Sequence, residues 1–496
     1  MKPIPQVAES HIFTMFGKDI LFNVETMLFY EVTPVVRDIF QLMSQSGSLN
    51  PREVLKSRHD ETEIKQAVSY LIQEKFLNTD PAHLSNPRPM LKKRRGMRHL
   101  ELMVTHDCNM RCRYCYGAPG EDQWSDAPYL YGATTKGMTL ETAKEGVDFL
   151  VSASGRQKEL SVTFFGGEPL LEFSLIKKMV PYIRKRETET GKKINLSLST
   201  NGLLLKKEVV DFLVKNKVGC QISIDGPKEI HDQTRCLPDG RGSYDKILPG
   251  IKRLISVRRG KVPARSTVSH NQADLLKVVE HLLSLGFGSV HMEPAIGGSG
   301  ALMVSQEDVD LMKEQNEAVA LFLVKNVKRN RFFNYTNLVR FIRQTRVVRE
   351  RLAHHCGAAR TYFALSQEGA FYPCHRFVGM VPYRMGDLHE GIDLSLQERI
   401  LDLTVDDRPV CRDCWARYLC GGGCWKHAVD INGCLEIPDN DLSCELIRHQ
   451  IECGMAINSE LGVEDKDILS ELYEDAAEPY LVPEKKEDSN VTAEDG

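Results

Sequence analysis

The chain has 496 residues, of which 42% are hydrophobic and 27% charged, and its formal net charge at pH 7 is −4. This length is sufficient for two or three domains with large buried cores, and the small net charge argues against a general polyanion-binding protein. No stretch approaches the roughly 20 apolar residues of a membrane span, and the first residues lack the apolar core of a signal peptide. We therefore expect a cytoplasmic protein with no membrane partner, in which the 14 cysteines are metal or cluster ligands rather than disulfides.

Residues 1–80 are predicted to form a separate module. Short β-prone runs at 11–16, 20–24 and 27–31 precede helical patterns at 35–43, 51–55 and 61–74. This order is typical of a winged-helix-like domain. The pattern at 61–74 carries charges of both signs, which favours a peptide over DNA as its partner, and we expect no nucleic-acid partner. Residues 81–98 are rich in proline and basic side chains and predict a linker.

From 99 to 300 the chain alternates between strands and helices, which predicts an α/β fold with a parallel sheet, open or closed into a barrel. In either form, sites lie at the carboxyl ends of the strands. Residues 301–350 predict a helical bridge, 351–462 a cysteine-rich domain, and 463–496 an acidic, partly disordered tail. The predicted strands are 100–104, 160–165, 194–199, 220–224, 262–269 and 289–293, with helices beginning near Leu140, Glu172, Lys207, Tyr244 and Asp274.

Three cysteines follow the first of these strands with the spacing Cys108-x3-Cys112-x2-Cys115. Three thiolates can bind three irons of a 4Fe-4S cluster and leave the fourth iron open for chemistry, whereas electron-transfer clusters normally have four cysteine ligands. A zinc knuckle or three unrelated thiols are the alternatives. Structural zinc sites usually have two paired ligand units, which this spacing does not provide.

Other strand ends carry polar groups. The second strand ends at Gly166-Gly167-Glu168-Pro169, where glycines permit close approach to the backbone and the carboxylate could receive an ammonium group. Ser223 and Asp225 end the fourth strand and Arg235 follows, so these side chains could bind a ribose or a carboxylate. Asp-Gly-Pro is also ordinary turn chemistry, and the two interpretations remain open.

The cysteine triplet, Tyr114 before its third cysteine and the Gly-Gly-Glu-Pro motif together resemble the radical SAM superfamily. The resemblance implies a partial (β/α)6 TIM-like barrel whose catalytic cluster is bound by Cys108, Cys112 and Cys115. It also implies that the open iron binds S-adenosyl-L-methionine, with Tyr114 beside the adenine and Gly166, Gly167 and Glu168 at the methionine ammonium. One electron from a flavodoxin or ferredoxin type donor would then yield a 5′-deoxyadenosyl radical.

Seven further cysteines resemble the SPASM extension of these enzymes. Their spacing is Cys356-x12-Gly369-x4-Cys374, then Cys411-x2-Cys414-x5-Cys420-x3-Cys424, then Cys444. The family connectivity implies two auxiliary 4Fe-4S clusters, for three in all. One has Cys411, Cys414, Cys420 and Cys444 as ligands, and the other has Cys356, Cys374 and Cys424. Cys434 and Cys453 are rival candidates for the missing ligand of the second.

The N-terminal module resembles the peptide-recognition domain of enzymes that modify ribosomally made peptides, so a leader peptide is the expected partner. Nearly the whole chain resembles thioether-forming maturases, including quinohemoprotein amine dehydrogenase maturation proteins and maturases of six-cysteine peptides. The implied reaction joins a cysteine sulfur to a carbon within a peptide or small protein subunit. His375 stands where sulfatase maturases carry an aspartate, which argues against that activity. Carbon-carbon crosslinking, epimerisation, and an iron-sulfur redox sensor that binds DNA are the alternatives.

Overall fold

The computed structural model describes residues 6–46, 54–78, 96–118, 131, 137–297, 300–348, 351–439, 442–462 and 465. Most of the predicted linker, the first part of the predicted helix 51–55, and nearly all of the acidic tail lie outside these residues. Within the described part, no helix is long and apolar enough to cross a membrane.

The N-terminal module contains a three-stranded antiparallel sheet. The second of these strands along the chain is the central strand of the sheet. Its hairpin register pairs Phe13 with Ile20, and Leu21 with Tyr30. Leu21, Ile39, Phe40, Ile64 and Phe76 are buried together in a core of their own between the sheet and two helices. The elements are β1 (Gln6–Val7), β2 (Ser10–Met15), β3 (Lys18–Asn23), β4 (Leu28–Val32), α1 (Pro34–Ser46), α2 (Glu61–Gln73) and β5 (Leu77–Asn78), which pairs with β1.

All six predicted strands of the central segment are present, and they are parallel neighbours in the order of the sequence. This confirms the α/β fold with a parallel sheet. The strands are β6 (His99–Thr105), β7 (Glu159–Gly166), β8 (Lys193–Thr200), β9 (Val218–Ser223), β10 (Pro263–Val268) and β11 (Ser289–Pro294). The helices between them are α3 (Leu140–Ala153), α4 (Phe173–Thr190), α5 (Lys207–Lys215), α6 (Lys228–Thr234), α7 (Tyr244–Arg258) and α8 (Leu275–Ser284).

Three short strands extend this sheet to nine. After β11 comes β12 (Asn334–Tyr335), while β13 (Tyr362–Leu365) lies parallel to β6 and is followed by the antiparallel β14 (Phe371–Tyr372). The first part of the segment predicted as a cysteine-rich domain therefore continues the sheet beside β6. This arrangement places Cys374 close to β6. Sequence order alone did not indicate this proximity.

The two faces of the sheet differ in polarity. In β8, Ile194, Leu196 and Leu198 are buried, whereas the alternate Ser197 and Ser199 are only partly buried. The same period of two runs through β7 and β10. Buried and mostly apolar residues pack against the surrounding helices, and the opposite, inner face carries mostly polar side chains.

Helices of the C-terminal half close one side of the molecule. The long α15 packs along α9 and α10 and also contacts the N-terminal sheet. The remaining elements are α9 (Gln306–Val327), α10 (Thr336–Arg343), β15 (Gly386–Asp387), β16 (Gly391–Ile392), α11 (Leu394–Asp402), α12 (Pro409–Arg412), α13 (Arg417–Cys420), α14 (Trp425–Asn432) and α15 (Leu442–Glu460).

Candidate functional site

The loop that carries Cys108, Cys112 and Cys115 begins directly after β6. Its backbone is tied to the residues at the end of α6, because the amide of Arg111 donates to the Cys236 carbonyl at 2.7 Å and the amide of Arg113 to the Thr234 carbonyl at 2.9 Å. The Arg111 guanidinium also donates to the Cys108 carbonyl at 2.7 Å. The three cysteines are thus held in one curved segment over the carboxyl ends of the strands.

Gly166 and Gly167 fit this loop against the end of β7. A Cβ on Gly166, whose φ is +139°, would lie 2.0 Å from the Thr105 carbonyl oxygen, and one on Gly167 would lie 2.2 Å from the Asp107 carbonyl oxygen. The Gly167 amide donates to the Thr105 carbonyl at 3.0 Å. The two glycines therefore allow the cysteine loop to lie directly against the end of β7.

Glu168 is completely buried behind the glycine pair. Its Oε1 accepts hydrogen bonds from the Leu170 amide at 3.1 Å and the Thr200 hydroxyl at 2.7 Å, and its Oε2 accepts from the Asn201 amide at 2.8 Å. Burial raises the pKa of Glu168 to about 7, although these hydrogen bonds oppose the shift. The carboxylate thereby ties β7 to the end of β8.

Asp225 organises the opposite wall of the site. Its buried carboxylate accepts from the Tyr114 hydroxyl at 2.5 Å and from the Thr267 amide at 3.0 Å, and it forms an ion pair with Arg235 at 3.1 Å. Arg235 also lies over the Tyr114 ring, 5.6 Å from its centroid. Ser223 is half-buried on the inner face of β9. The structure thus brings Tyr114, Asp225 and Arg235 into one network beside the cysteine loop.

The Arg235 guanidinium lies 3.8 Å from the Cys112 sulfur, and the Asn201 side-chain amide lies 4.0 Å from the Cys108 sulfur. Burial raises the pKa of Cys112 to about 12, whereas the charge of Arg235 lowers it. Among the described residues, no group of His, Cys, Asp or Glu is close enough to bind a single metal ion. A 4Fe-4S cluster requires a wider spacing of its ligands than a single metal ion, since each cysteine binds a different iron atom. Three thiols on one loop, with two donors directed at the sulfurs, fit such a cluster.

A second group consists of Cys356, Cys374 and Cys424. Burial raises the pKa of Cys374 and of Cys356, and negative charge on Cys424 raises both further, which indicates that the three cysteines lie in one region. The Arg376 guanidinium lies 3.7 Å from the Cys424 sulfur and donates to His427 Nε2 at 2.7 Å.

A third group consists of Cys411, Cys414, Cys420 and Cys444. Burial raises the pKa of both Cys411 and Cys444. Negative charge on Cys420 and Cys414 raises the pKa of Cys411 further, and negative charge on Cys420 and Cys411 does the same for Cys444. The cysteines that act on one another's pKa thus form a set of three and a set of four, and the two sets interleave in the sequence.

The two rival cysteines lie in different surroundings. Cys453 is fully buried on α15, and the side chains that affect its pKa are Glu317 and Glu452. It is part of the apolar core formed with α9 and α10. Cys434 is half-buried, and its charge acts on Arg408, which also faces the third group.

The inner face also holds charged side chains that the sequence reasoning did not select. Glu101 on β6 lies 2.7 Å from His375 Nδ1 and also accepts a hydrogen bond from Tyr362 on β13. Arg265, His291 and Glu293 line β10 and β11, with 3.5 Å between Arg265 and Glu293 and 3.2 Å between His291 and Glu293. The sequence does contain a signal for Glu101, because this charged residue interrupts an otherwise apolar run in a buried parallel strand.

The chain is similar in sequence and in fold to known proteins. Residues 102–274 match the radical SAM superfamily. An uncharacterized protein of Methanocaldococcus jannaschii, MJ0907, is 29% identical over 198 residues, which is 40% of this chain and 63% of that protein. The chain thus spans less than two thirds of this relative's length.

The serine-type anaerobic sulfatase-maturating enzyme of Bacteroides thetaiotaomicron is 25% identical over 357 residues, 64% of this chain and 80% of that enzyme. Among solved structures, native anSMEcpe with bound AdoMet superposes with a TM-score of 0.62 at 20% identity, covering 73% of this chain and 99% of that chain. This last similarity concerns the fold.

Proposed function

We propose that the protein is a radical SAM enzyme that modifies a ribosomally made peptide or small protein subunit, since residues 102–274 match the radical SAM superfamily. The proposed reaction forms a thioether between a substrate cysteine sulfur and a carbon of the same peptide. The observation that carries this proposal is that Cys374 closely follows β14, a strand of the same sheet that bears the Cys108, Cys112 and Cys115 loop.

In this proposal the first cysteine group binds the catalytic 4Fe-4S cluster. Glu168, Gly166 and Gly167 shape the methionine side of the S-adenosyl-L-methionine site, and Ser223, Asp225 and Arg235 shape its ribose and carboxylate side together with Tyr114. When bound, the cluster and S-adenosyl-L-methionine supply hydrogen abstraction from carbon. The chain supplies orientation and exclusion of water, because the network around Asp225 and the buried Glu168 leaves these side chains little freedom.

The polar inner face of the sheet is the proposed substrate space. It lies between the first cysteine group and Cys374, because β13 and β14 place Cys374 beside β6. Cys356, Cys374 and Cys424 provide three thiolates for a 4Fe-4S cluster, so one iron is open to a substrate thiolate. Cys411, Cys414, Cys420 and Cys444 provide four and suit electron transfer. An external one-electron donor of flavodoxin or ferredoxin type completes the proposal.

The N-terminal module is the proposed leader-peptide site. Among the described strands, β2 and β4 each pair only with β3, so an extended peptide could add to an edge of this sheet. The charges on α2 are mixed: Glu61 and Glu63 lie in its first turn, where acidic side chains favour the helix dipole, and its last turn carries no basic residue. This composition does not suit a helix that enters the DNA major groove.

A test is to incubate the anaerobically reconstituted, reduced protein with S-adenosyl-L-methionine and a candidate Cys-containing precursor peptide. Formation of 5′-deoxyadenosine and loss of two hydrogens per crosslink, with cysteines that resist alkylation, are expected. A mass loss with alkylatable cysteines would instead indicate a carbon-carbon crosslink, and deuterium uptake without mass loss would indicate epimerisation. Absence of 5′-deoxyadenosine would contradict an enzymatic role and favour the redox sensor.

A further inference from the structure

Arg408 is among the largest fully buried side chains of the described part of the chain, with 1% of its surface exposed. It lies at the start of α12, three residues before Cys411. Its Nε donates to the Glu436 carbonyl at 3.3 Å and its Nη1 donates to the Gly422 carbonyl. The guanidinium also stacks on Trp425, 4.6 Å from the ring centroid.

None of these partners is anionic. Among the described residues, no acidic side chain is hydrogen-bonded or ion-paired to Arg408, and its Nη2 is buried without a hydrogen-bond partner. The Glu436 carboxylate is engaged by Arg399 at 2.6 Å. A permanently charged guanidinium that is buried without a counter-charge is strongly unfavourable.

Two other buried arginines of the described part of the chain have a carboxylate partner. Arg417 is paired with Glu9 and lies 3.6 Å from Asp406, and Arg235 is paired with Asp225 at 3.1 Å. Arg408 differs from both because its surroundings offer thiols instead.

The third cysteine group lies close to Arg408. Burial lowers the pKa of Arg408, whereas negative charge on Cys411, Cys444, Cys420 and Cys434 raises it. A Cβ on Gly422, whose φ is +96°, would lie 2.8 Å from the Arg408 Nη1 and 3.7 Å from the Cys411 sulfur, so the absence of a side chain there brings the guanidinium to the thiol loop. Protonated thiols would leave the guanidinium uncompensated, whereas thiolates bound to iron would neutralise it.

We propose that Arg408 is the counter-charge of an iron-sulfur cluster bound by Cys411, Cys414, Cys420 and Cys444, and that it holds the reduction potential of this cluster at a higher value. This inference rests on the proposed function, in which the group binds a 4Fe-4S cluster. One-electron reduction adds a negative charge to the cluster, and a fixed positive charge in a buried setting stabilises the reduced form more than the oxidised form.

The test uses the full chain carrying Cys108→Ala, Cys112→Ala, Cys115→Ala and Cys374→Ala, so that iron bound after anaerobic reconstitution belongs to the third group. Iron and sulfide content and the midpoint potential from an EPR-monitored redox titration are compared with and without Arg408→Gln. We expect about a tenfold change in the reduction equilibrium, which is about 59 mV to lower potential for a one-electron couple. Arg399→Gln removes an equal charge from an exposed ion pair and should leave the potential unchanged.

If Arg408→Gln loses its iron, the iron content of Arg408→Lys distinguishes a role of the charge from a role of the hydrogen bonds. Retention of the cluster by the lysine variant supports the charge role, whereas equal loss in both variants overturns it in favour of hydrogen bonding. Unchanged iron content and potential in Arg408→Gln also overturn the inference. A background protein that binds no iron contradicts the proposed cluster itself, which separates failure of the proposed function from failure of the role of Arg408.

Discussion

His11 lies face to face with Trp415, with 3.8 Å between the ring centroids and 3° between the ring planes. One ring belongs to the first long strand of the N-terminal module and the other follows Cys414 in the third cysteine group. The proposed peptide-binding module is therefore packed directly on the loop that carries the proposed electron-transfer ligands.

We predict that His11→Ala loosens this contact. Loss of the stacked pair and of the hydrogen bond to Glu452 at 2.7 Å should lower the free energy of unfolding by about 1–3 kcal/mol. Hydrogen exchange should increase in residues 411–420. His59→Ala is the matched control, because His59 is bonded to Asp38 within the module and its loss should leave exchange at 411–420 unchanged. Equal exchange in the His11 variant and the parent protein would count against the coupling.

Glu452 should make this contact sensitive to acid. Burial raises the pKa of Glu452, but hydrogen bonds from His11 and His449 lower it more, to about 2 from an ordinary 4.5. A depressed folded-state pKa gives stability that is present above pH 4.5 and is lost as the pH falls towards 2. The size of the shift corresponds to about 3 kcal/mol.

Denaturant unfolding measured from pH 5.5 downwards should therefore show a steeper loss of stability for the parent protein than for Glu452→Gln. Glu317→Gln is a suitable control, since Glu317 is 44% exposed and lies 3.5 Å from His449. Parallel pH profiles for the parent protein and Glu452→Gln would contradict the assignment.

Gly167→Ala should displace the cysteine loop, because the new Cβ would be 2.2 Å from the Asp107 carbonyl oxygen. We expect the variant to lose the iron of the first group, about four atoms per chain, and to lose S-adenosyl-L-methionine cleavage while its overall circular dichroism is retained. Gly155→Ala places a side chain at a φ of +54° but has nothing within 4 Å of the new Cβ. It should keep its iron. Full iron content in Gly167→Ala would refute the steric argument.

Glu168→Gln tests the buried carboxylate that ties two strands together. Its three partners are all donors, so the glutamine amide NH2 must face one of them. We expect a loss of about 1–3 kcal/mol of unfolding free energy and weaker binding of S-adenosyl-L-methionine, measured by equilibrium dialysis. Glu159→Gln at the exposed start of β7 should change neither quantity. Wild-type stability of Glu168→Gln would exclude the proposed tie.

Cys453 and Cys374 should respond differently to substitution by alanine. Cys374→Ala should remove iron, because Cys374 belongs to the second cysteine group. Cys453→Ala should keep all iron and lower only stability, by about 1 kcal/mol, because Cys453 is a small buried side chain in the core. Iron and sulfide assays after reconstitution, together with thermal unfolding, provide both readouts. Loss of iron from Cys453→Ala would place it among the ligands.

The sequence by itself determined the local elements and the chemical content of the site. The alternation of strands and helices from 99 to 300 was sufficient to predict a parallel sheet with sites at the carboxyl ends of its strands, because strand and helix patterns are local properties of the sequence. The spacing of Cys108, Cys112 and Cys115 indicated a cluster because these three residues share a single loop.

Tertiary structure alone decided which distant groups meet. The pairing of β13 with β6 brings Tyr362 and His375 to Glu101, the packing of α15 buries Cys453 in the core, and Arg408 is buried against carbonyls and Trp425 rather than carboxylates. Such contacts depend on how apolar faces pack between segments hundreds of residues apart. Neither residue spacing nor periodicity carries that information, because burial and electrostatic partners are properties of the assembled core.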